Sequence, residues 1–339
     1  MKLTWHPYRL RLRAPLATAR GELREREGFL VRADEGRGEA CPLPAFGTED
    51  LAACARALGR AAEHLAALPP PSRIEDISLD LHDAPAARHA VELALLDLLA
   101  RRRSMSLARL LDPGAAAEVA VSALLSAREP AALAREARSA ASEGFGTVKL
   151  KVAHAPLEHD LARAAVVRDA AGPQMRLRLD ANGGWSEDGA ADALPRLARL
   201  DVELCEEPVQ GIAALRRLRG TTPVRIAADE SVVGAGEELL EAVDAVVLKP
   251  MVLGGLLPAL EWARRVRSRG LQAVVTTSLD GAIARLGAAH LAAALLAAGP
   301  SPDAGLATGR LFEEDVCDDP APPVRGRITL PSGPGLGVP

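Results

Sequence analysis

The feature that most constrains the fold is a series of short apolar runs, each followed by a segment with helical periodicity. The runs lie about 20 to 30 residues apart, which is the length of one strand, one helix and two loops. Eight are present, at 119–123, 148–152, 175–181, 202–207, 224–229, 245–249, 273–277 and 304–307. Eight units in about 190 residues predict a parallel α/β barrel, with an open doubly wound sheet as the alternative.

The first 115 residues follow a different pattern, typical of a small α+β domain. Strands are predicted at 8–13, 28–32 and 39–40, with a polar loop over 14–27. A helix is predicted from Thr48, its N-cap, to Leu68, and a longer one over about 85–103. We therefore expect an N-terminal α+β capping domain over 1–115, followed by the barrel over 116–310. The tail, 311–339, is expected to complete the capping domain through residues 326–330.

Composition limits the classes of partner. The chain has 339 residues and a formal net charge of -4, which offers no electrostatic footprint for nucleic acid. The longest apolar run, 290–296, is too short to span a bilayer, and the N-terminus lacks the apolar core of a signal peptide. The four cysteines form no C-x-x-C pair. We expect a cytoplasmic protein that binds a small molecule and neither nucleic acid nor membrane; the sequence leaves the oligomeric state open.

Two lysines mark the second predicted barrel strand. Lys149 and Lys151 alternate with Val148, Leu150 and Val152, so both ammonium groups project from one face. At ~6.5 Å and an effective dielectric of ~20 they repel by about 2.5 kcal/mol. We expect this repulsion to lower the pKa of one lysine toward the range of a general base. A solvated edge strand is the alternative for an isolated K-x-K pair.

Polar residues also stand where successive strands stop: Asp180, Glu206, Asp229 and Lys249. The carboxyl ends of barrel strands meet at one mouth, where catalytic residues collect. Three converging carboxylates repel unless a cation neutralises them, and all-oxygen ligation suits Mg²⁺. The pattern does not decide between Asp229 and its neighbour Glu230 as the ligand, because they point to opposite faces.

Other residues are predicted to line the same cavity. Arg178 and Asn182 share a strand face with Asp180. Thr277 and Ser278 end the seventh strand, where their hydroxyls either bind a substrate carboxylate or cap the loop. The seven histidines show no metal-ligand spacing and are interpreted as surface or hydrogen-bonded core residues.

Together, Lys149-x-Lys151, Asp180-Ala-Asn182, Glu206-Glu207-Pro208, Asp229-Glu230-Ser231 and Lys249 resemble the enolase superfamily, in its muconate-lactonizing subgroup. The resemblance spans nearly the whole chain. It implies a (β/α)₇β TIM-like barrel with an N-terminal capping domain, and Mg²⁺, for which Mn²⁺ can substitute, held by Asp180, Glu206 and Asp229.

Within that subgroup the chain is similar to the o-succinylbenzoate synthases of menaquinone biosynthesis, on the stretches 20–21 with 26–28, 38–44, and 305–309 with 315–316. It departs from them at Asp280, where Glu is frequent, and at Thr277, where Ser is common. It also lacks the Asp-x-Asp near strand eight that similar dipeptide epimerases carry. The resemblance implies dehydration of 2-succinyl-6-hydroxy-2,4-cyclohexadiene-1-carboxylate. N-acylamino acid racemisation, another epimerase or cycloisomerase reaction, and a non-catalytic binding protein on the same barrel are the alternatives.

The same resemblance implies the roles of the lysines. Lys151 is the expected base and Lys249 a cation over the intermediate. Lys149 is expected to tune the pKa of Lys151 and to help stabilise the enolate. Arg20, Arg24 and Arg26, with Arg178, are predicted to suit a substrate with a second carboxylate.

Overall fold

The N-terminal part of the chain is built on a three-stranded antiparallel sheet. The computed structural model describes residues 1–18 and 21–338. Strands β1 (Leu3–Thr18), β2 (Gly21–Ala33) and β3 (Gly36–Ala40) lie in the order β1-β2-β3. The first two strands pair from Leu3 with Ala33 to Thr18 with Gly21, with one register irregularity between Arg11 and Leu16.

The loop predicted over 14–27 is wrong, because β1 and β2 continue through most of it as a hairpin. Leu16 pairs with Leu23 there, and the exposed Arg9 forms ion pairs with Glu25 and Glu27 at 3.7 and 2.8 Å. Charged side chains on a solvated strand face leave the backbone ladder intact. A run of charges therefore does not distinguish an exposed strand from a loop.

Two long helices cover this sheet. Helix α1 (Leu51–Ala66) begins at Asp50, whose carboxylate accepts the Ala53 N–H at 2.7 Å. The predicted N-cap, Thr48, is wrong: its hydroxyl oxygen accepts the Leu43 N–H instead, which fixes the preceding turn. Helix α2 (Pro85–Arg102) occupies the predicted span and is buried on nearly all sides.

The rest of the chain forms the predicted barrel. Its parallel strands are β5 (Ala123–Leu125), β6 (Thr147–Lys151), β7 (Arg176–Asp180), β8 (Val202–Glu206), β9 (Arg225–Ala228), β10 (Ala245–Leu248) and β11 (Gln272–Val275). The α-helices of this part are α3 (Leu107–Leu111), α4 (Pro130–Ser142), α5 (Leu157–Ala171), α6 (Glu187–Ala198), α7 (Ile212–Leu218), α8 (Pro250–Leu253), α9 (Leu256–Ser268) and α10 (Ala282–Leu295). A short strand, β4 (Glu118–Ala120), lies between α3 and β5.

Isolated bridges close the ring. The seven strands are hydrogen-bonded in sequence order from β5 to β11. The eighth segment bridges both edges, because Ala304 pairs with Val121 and Gly305 with Thr276. In a ring of eight, the second strand, β6, faces the sixth, β10. The fold is the α/β barrel with an N-terminal α+β part that the sequence predicts.

Residues 326–330 do not make the predicted contact with the N-terminal sheet. Strand β12 (Arg327–Thr329) pairs antiparallel with β4 and not with the N-terminal sheet. Residues on both sides of β12 reach the N-terminal part: Phe312 bridges Leu12 of β1, and the Leu336 N–H donates to Asp97 of α2 at 2.6 Å. The boundary near residue 115 stays a prediction. None of the described helices is both long and apolar enough to cross a membrane.

A buried histidine joins the tail to the barrel helices. His290 of α10 accepts the Ala108 N–H at Nδ1 (3.1 Å), and its Nε2 lies 3.3 Å from the Leu336 carbonyl, to which it donates. This pairing fixes the neutral tautomer. Burial lowers the pKa of His290 from 6.5 to about 4.

We expect His290 to make stability depend on pH. In the unfolded chain the His290 imidazole is protonated below about pH 6.5, whereas in the folded protein it is protonated only below about pH 4. Its contribution is complete at pH 7.5 and falls by about 2 kcal/mol between pH 7.5 and 5. Urea unfolding of His290→Gln at pH 7.5 and 5 should therefore show a weaker pH dependence than wild type. His82→Gln, at an exposed site, is the control; an unchanged pH dependence in His290→Gln contradicts the assignment.

Candidate active site at the barrel mouth

Three buried carboxylates meet at the carboxyl ends of adjacent strands. Asp180 ends β7, Glu206 ends β8 and Asp229 directly follows β9. The parallel register sets Asp180 beside Glu206, and the three side chains each offer an oxygen within 4.8 Å of the others. All three residues are at most 5% exposed. Such a cluster is unfavourable unless cations compensate its charge.

Lys149 supplies one of those cations. Its Nζ lies 3.0 Å from Asp180 and also donates a short hydrogen bond to Glu206. Burial alone would lower the pKa of Lys149, but the carboxylates of Asp180, Glu206 and Asp229 outweigh it and raise that pKa. Lys149 therefore stays protonated.

Lys151 lies two residues further along β6 in a different environment. Its Nζ donates to Asn182 Oδ1 at 3.2 Å. Burial lowers the pKa of Lys151; Asp180 opposes this effect, and the charges of Lys149 and Lys249 add to it. The direction agrees with the prediction, but its cause does not: burial contributes more than the repulsion between the two lysines.

Lys249 faces this pair from the opposite side of the barrel. It follows β10, donates to Asp229 at 2.7 Å and stands 4.5 Å from the centroid of the Phe46 ring. Burial alone would lower its pKa, but Asp229 and Glu230 raise it. The site thus holds two stable ammonium groups and one lysine with a lowered pKa.

A cavity, here called the mouth cavity, lies between these lysines. Leu16 of the hairpin, and Leu43 and Phe46 after β3, cover it from the N-terminal part. The predicted site residues that line it are Lys149, Lys151, Asp180, Asn182, Asp229, Lys249, Thr277 and Ser278. A substrate held there lies between Lys151 and Lys249 and beside the carboxylates.

The structure separates Asp229 from Glu230. Asp229 joins Asp180 and Glu206, whereas Glu230 accepts the Asn182 side-chain N–H at 3.0 Å. The local strand pattern left this choice open, and the position of the neighbouring strands decides it. Asn182, held by Glu230, in turn fixes the orientation of Lys151.

Sequence reasoning missed the role of Glu207. Its carboxylate accepts the N–H of Asp229 at 2.7 Å, together with the N–H and hydroxyl of Ser231. Burial raises the pKa of Glu207 to about 7. Glu207 therefore fixes the turn that carries Asp229. In the sequence, the only indication of this role is that Glu207 directly follows the strand-end carboxylate Glu206.

Arg178 is not among the residues that line the mouth cavity, and this prediction was wrong. It shares the inward face of β7 with Asp180 but lies one layer deeper, where it donates to Glu203 and to the Asp303 carbonyl, each at 2.7 Å. A strand face continues through the full depth of a barrel, so a shared face does not imply a shared cavity. Arg178 belongs to the polar floor of the barrel.

The two candidate hydroxyls at the end of β11 both reach the mouth cavity, yet both already have partners. Ser278 Oγ donates to Asp280 at 2.7 Å, and Thr277 Oγ1 lies 3.2 Å from Thr308 Oγ1. Both alternatives stated for these hydroxyls, loop capping and contact with a substrate, stay compatible with this placement.

Of the predicted hairpin arginines, Arg20 lies outside the described residues. Arg24 pairs at the surface with Glu22 at 2.7 Å. Arg26 is buried and donates to the carbonyls of Cys41, Pro42 and Leu279. Arg26 therefore supports the loop after β11 instead of facing the mouth cavity.

Glu39 supports the same loop and was also missed. This buried residue of β3 accepts the Gly281 and Ala284 N–H groups at 2.6 and 2.9 Å, and so caps the start of α10. The Tyr8 hydroxyl donates to it as well, at 2.5 Å. Because β3 also contains Arg37, its sequence did not mark Glu39 as a buried residue. Arg26 and Glu39 together position the wall of the mouth cavity that carries Thr277 and Ser278.

Comparison with known proteins identifies the family. The family model described as "Enolase C-terminal domain-like" matches residues 132–339, more than half of the chain. The chain belongs to the enolase superfamily. This confirms the resemblance that the sequence motifs indicate, and it makes the site above an enolase-superfamily active-site candidate.

Individual relatives within the enolase superfamily differ in reaction. The o-succinylbenzoate synthase of Thermobifida fusca (strain YX) is 40% identical over 204 residues, 57% of this chain and 62% of the relative. The match thus spans less than two thirds of that relative. The o-succinylbenzoate synthase of Desulfotalea psychrophila is 28% identical and aligns with 93% of this chain and 95% of its own. A dipeptide epimerase from Enterococcus faecalis V583, solved with Mg and the dipeptide L-Leu-L-Tyr, superposes with a TM-score of 0.87 at 27% identity, covering 99% of this chain and 98% of that one.

The residues present fit a divalent metal ion. Asp180, Glu206 and Asp229 supply only oxygen donors, whereas Lys149 and Lys249 balance two of their three negative charges. One negative charge is left within a buried cluster, so a cation is favoured there. Asp180, Glu206 and Asp229 are therefore the candidate ligands of a divalent metal ion.

We expect Mg²⁺ to stabilise the folded protein through these three carboxylates. A ligand that binds only the folded state at 100 times its Kd adds about 2.7 kcal/mol. Calorimetric titration and thermal unfolding should show this binding and stabilisation in wild type and in the exposed control Asp188→Asn. Asp180→Asn should lose most of both, and Mg²⁺ affinity equal to wild type in that variant rules out the site.

Proposed function

We propose that this enolase-superfamily protein is an o-succinylbenzoate synthase that serves menaquinone biosynthesis. It would dehydrate 2-succinyl-6-hydroxy-2,4-cyclohexadiene-1-carboxylate to o-succinylbenzoate, with Mg²⁺ as its cofactor. The observation that carries the proposal is the placement of Lys151 and Lys249 on opposite sides of the mouth cavity, beside three carboxylates. The two synthase relatives, one of them matched over nearly its full length, support the choice of reaction.

Lys151 is the proposed base. Of the three site lysines it alone has a lowered pKa, and Asn182 orients its Nζ. Lys151 would take the proton α to the substrate carboxylate, and the electron pair of that C–H bond would become part of the enolate. As the enolate collapses, the C–O bond of the ring hydroxyl breaks and Lys151 returns its proton to the departing oxygen, which forms water. One lysine is sufficient for this dehydration.

The negative charge that develops on the carboxylate needs stabilisation. A divalent cation at Asp180, Glu206 and Asp229, when bound, supplies positive charge for this purpose. Lys249, held by Asp229 and by the Phe46 ring, presents an ammonium group from the opposite face. Lys149 stays charged and keeps Asp180 and Glu206 in place.

N-acylamino acid racemisation or epimerisation is the second candidate, because the enolase-superfamily site has a lysine on each side of the substrate. The structural similarity to a dipeptide epimerase favours keeping it. Asp303, the carboxylate at the start of strand eight, argues against dipeptide recognition: it pairs with Arg176 at 2.6 Å and accepts from Thr147 on the barrel floor. Dehydration is therefore preferred.

Lysine variants test the mechanism. Lys151→Ala should lower the rate of dehydration, and of solvent deuterium exchange at the α-carbon, by at least about 10²-fold, because no other group replaces the base. Lys249→Ala should be impaired to a similar degree through lost charge stabilisation. Lys2→Ala, at an exposed site remote from the mouth cavity, is the matched control.

Lys249→Arg separates the two candidate reactions. Arginine keeps the positive charge but does not act as a base near neutral pH. In a dehydratase, Lys249→Arg should retain more activity than Lys249→Ala, whereas a racemase that needs two bases loses activity in both. Rapid deuterium exchange into N-succinylamino acids without measurable dehydration would reverse our choice, and near-wild-type turnover by Lys151→Ala would overturn the role of that lysine.

A further inference from the structure

A second cavity lies directly beside the mouth cavity. Leu16, Leu124 and Lys151 line both cavities, so they form a shared wall. The second cavity has a water-accessible volume of about 260 Å³, against about 80 Å³ for the mouth cavity. A molecule whose reacting carbon lies at Lys151 therefore has room for a substituent on this side.

Basic side chains surround this second cavity, here called the cationic annex. Besides Lys151 it is lined by Arg128, His154, His159 and Arg163, and the lining residues include no carboxylate among those that the structure describes. Arg128 is exposed and makes no hydrogen bond or ion pair with the described residues, 1–18 and 21–338. Its guanidinium is therefore available to an incoming anion.

The other basic side chains of the cationic annex differ in their hydrogen-bond partners and in their charge. Arg163 donates to the Lys151 carbonyl at 2.9 Å and pairs with Asp160 at 3.5 Å, which fixes the loop that forms one wall. Partial burial, followed by the charge of Lys151, lowers the pKa of His154. His154 is therefore a neutral N–H donor near pH 7, and Arg128 supplies the charge.

A dianionic substrate needs such a partner. One carboxylate would lie beside the strand-end carboxylates and the lysines, and the other must be solvated or paired. The described arginines that the sequence suggested for it are engaged elsewhere: Arg178 on the barrel floor, Arg26 with backbone carbonyls and Arg24 with Glu22. The annex offers an unpaired guanidinium next to Lys151 instead.

We propose that the cationic annex binds the distal carboxylate of a dicarboxylate substrate, with Arg128 as the principal partner and His154 as an additional donor. This inference rests on the proposed function, for which that group is the succinyl carboxylate. A guanidinium paired with a carboxylate discriminates by charge and geometry. The annex would thus set substrate specificity without taking part in proton transfer.

The test compares two ligands on the Mg²⁺-loaded protein: o-succinylbenzoate and 2-butyrylbenzoate, in which a methyl group replaces the distal carboxylate. Wild type should bind the dicarboxylate about tenfold more tightly, as expected for one charge-assisted contact. Arg128→Gln should remove most of this preference by weakening only the dicarboxylate. Arg135→Gln replaces another exposed arginine, on α4 and outside the annex lining, and should leave the preference unchanged.

In turnover, Arg128→Gln should raise KM about tenfold while kcat stays near wild type, because the contact is the same in ground and transition states. A wild-type protein without a dicarboxylate preference overturns the annex, as does an unchanged preference in the Arg128→Gln/His154→Gln double variant.

The outcomes also separate the two proposals. If dehydration is absent but Arg128→Gln abolishes a preference for N-succinyl- over N-butyryl-amino acids, the proposed reaction fails and the annex is supported. Dehydration with no effect of Arg128→Gln on the ligand pair supports the reaction and overturns the annex.

Discussion

The structure depends on the electrostatic balance of three buried carboxylates at the barrel mouth. Two unit charges ~4 Å apart repel by about 4 kcal/mol at an effective dielectric of ~20, and burial adds a desolvation cost. Lys149 and Lys249 offset this repulsion by pairing with Asp180, Glu206 and Asp229 from two sides. The parallel register aligns the strand ends, so it brings the three carboxylates together and also places the lysines beside them. The remaining negative charge favours a bound cation.

Lys149 and Lys151 are both partly buried, but their different neighbours give them different pKa values. Lys149 and Lys151 are two residues apart on one strand, yet the first lies against two carboxylates and the second against an amide oxygen. The same loss of solvent therefore ends in a raised pKa for Lys149 and a lowered one for Lys151. Proton transfer and charge stabilisation are in this way assigned to separate groups, as the proposed dehydration requires.

The N-terminal part covers the mouth cavity and also holds the loops that form its wall. Arg26 and Glu39 reach across to the loop after β11 and to the first turn of α10, while Phe46 packs against Lys249. These contacts link the hairpin and its neighbours to the wall of the mouth cavity. Substrate selection and catalysis consequently draw on different parts of the chain: the strand ends hold the reacting groups, and the surrounding loops form the walls that a substrate must fit.

The strand pattern predicts the barrel, the three lysines and a carboxylate at the end of each of three strands, because strand periodicity and the position of a strand's end are local properties that repeat along the chain. The strand pattern did not decide which neighbour, depth or partner each side chain takes, and the tertiary structure shows these. Asp229 joins the carboxylate cluster, whereas Glu230 accepts a hydrogen bond from Asn182. Arg178 lies on the barrel floor, where it donates to the Asp303 carbonyl. Burial lowers the pKa of Lys151 more than repulsion from the other lysines does. Depth within a barrel, desolvation and the choice of partner depend on residues distant in sequence, and no local pattern records them.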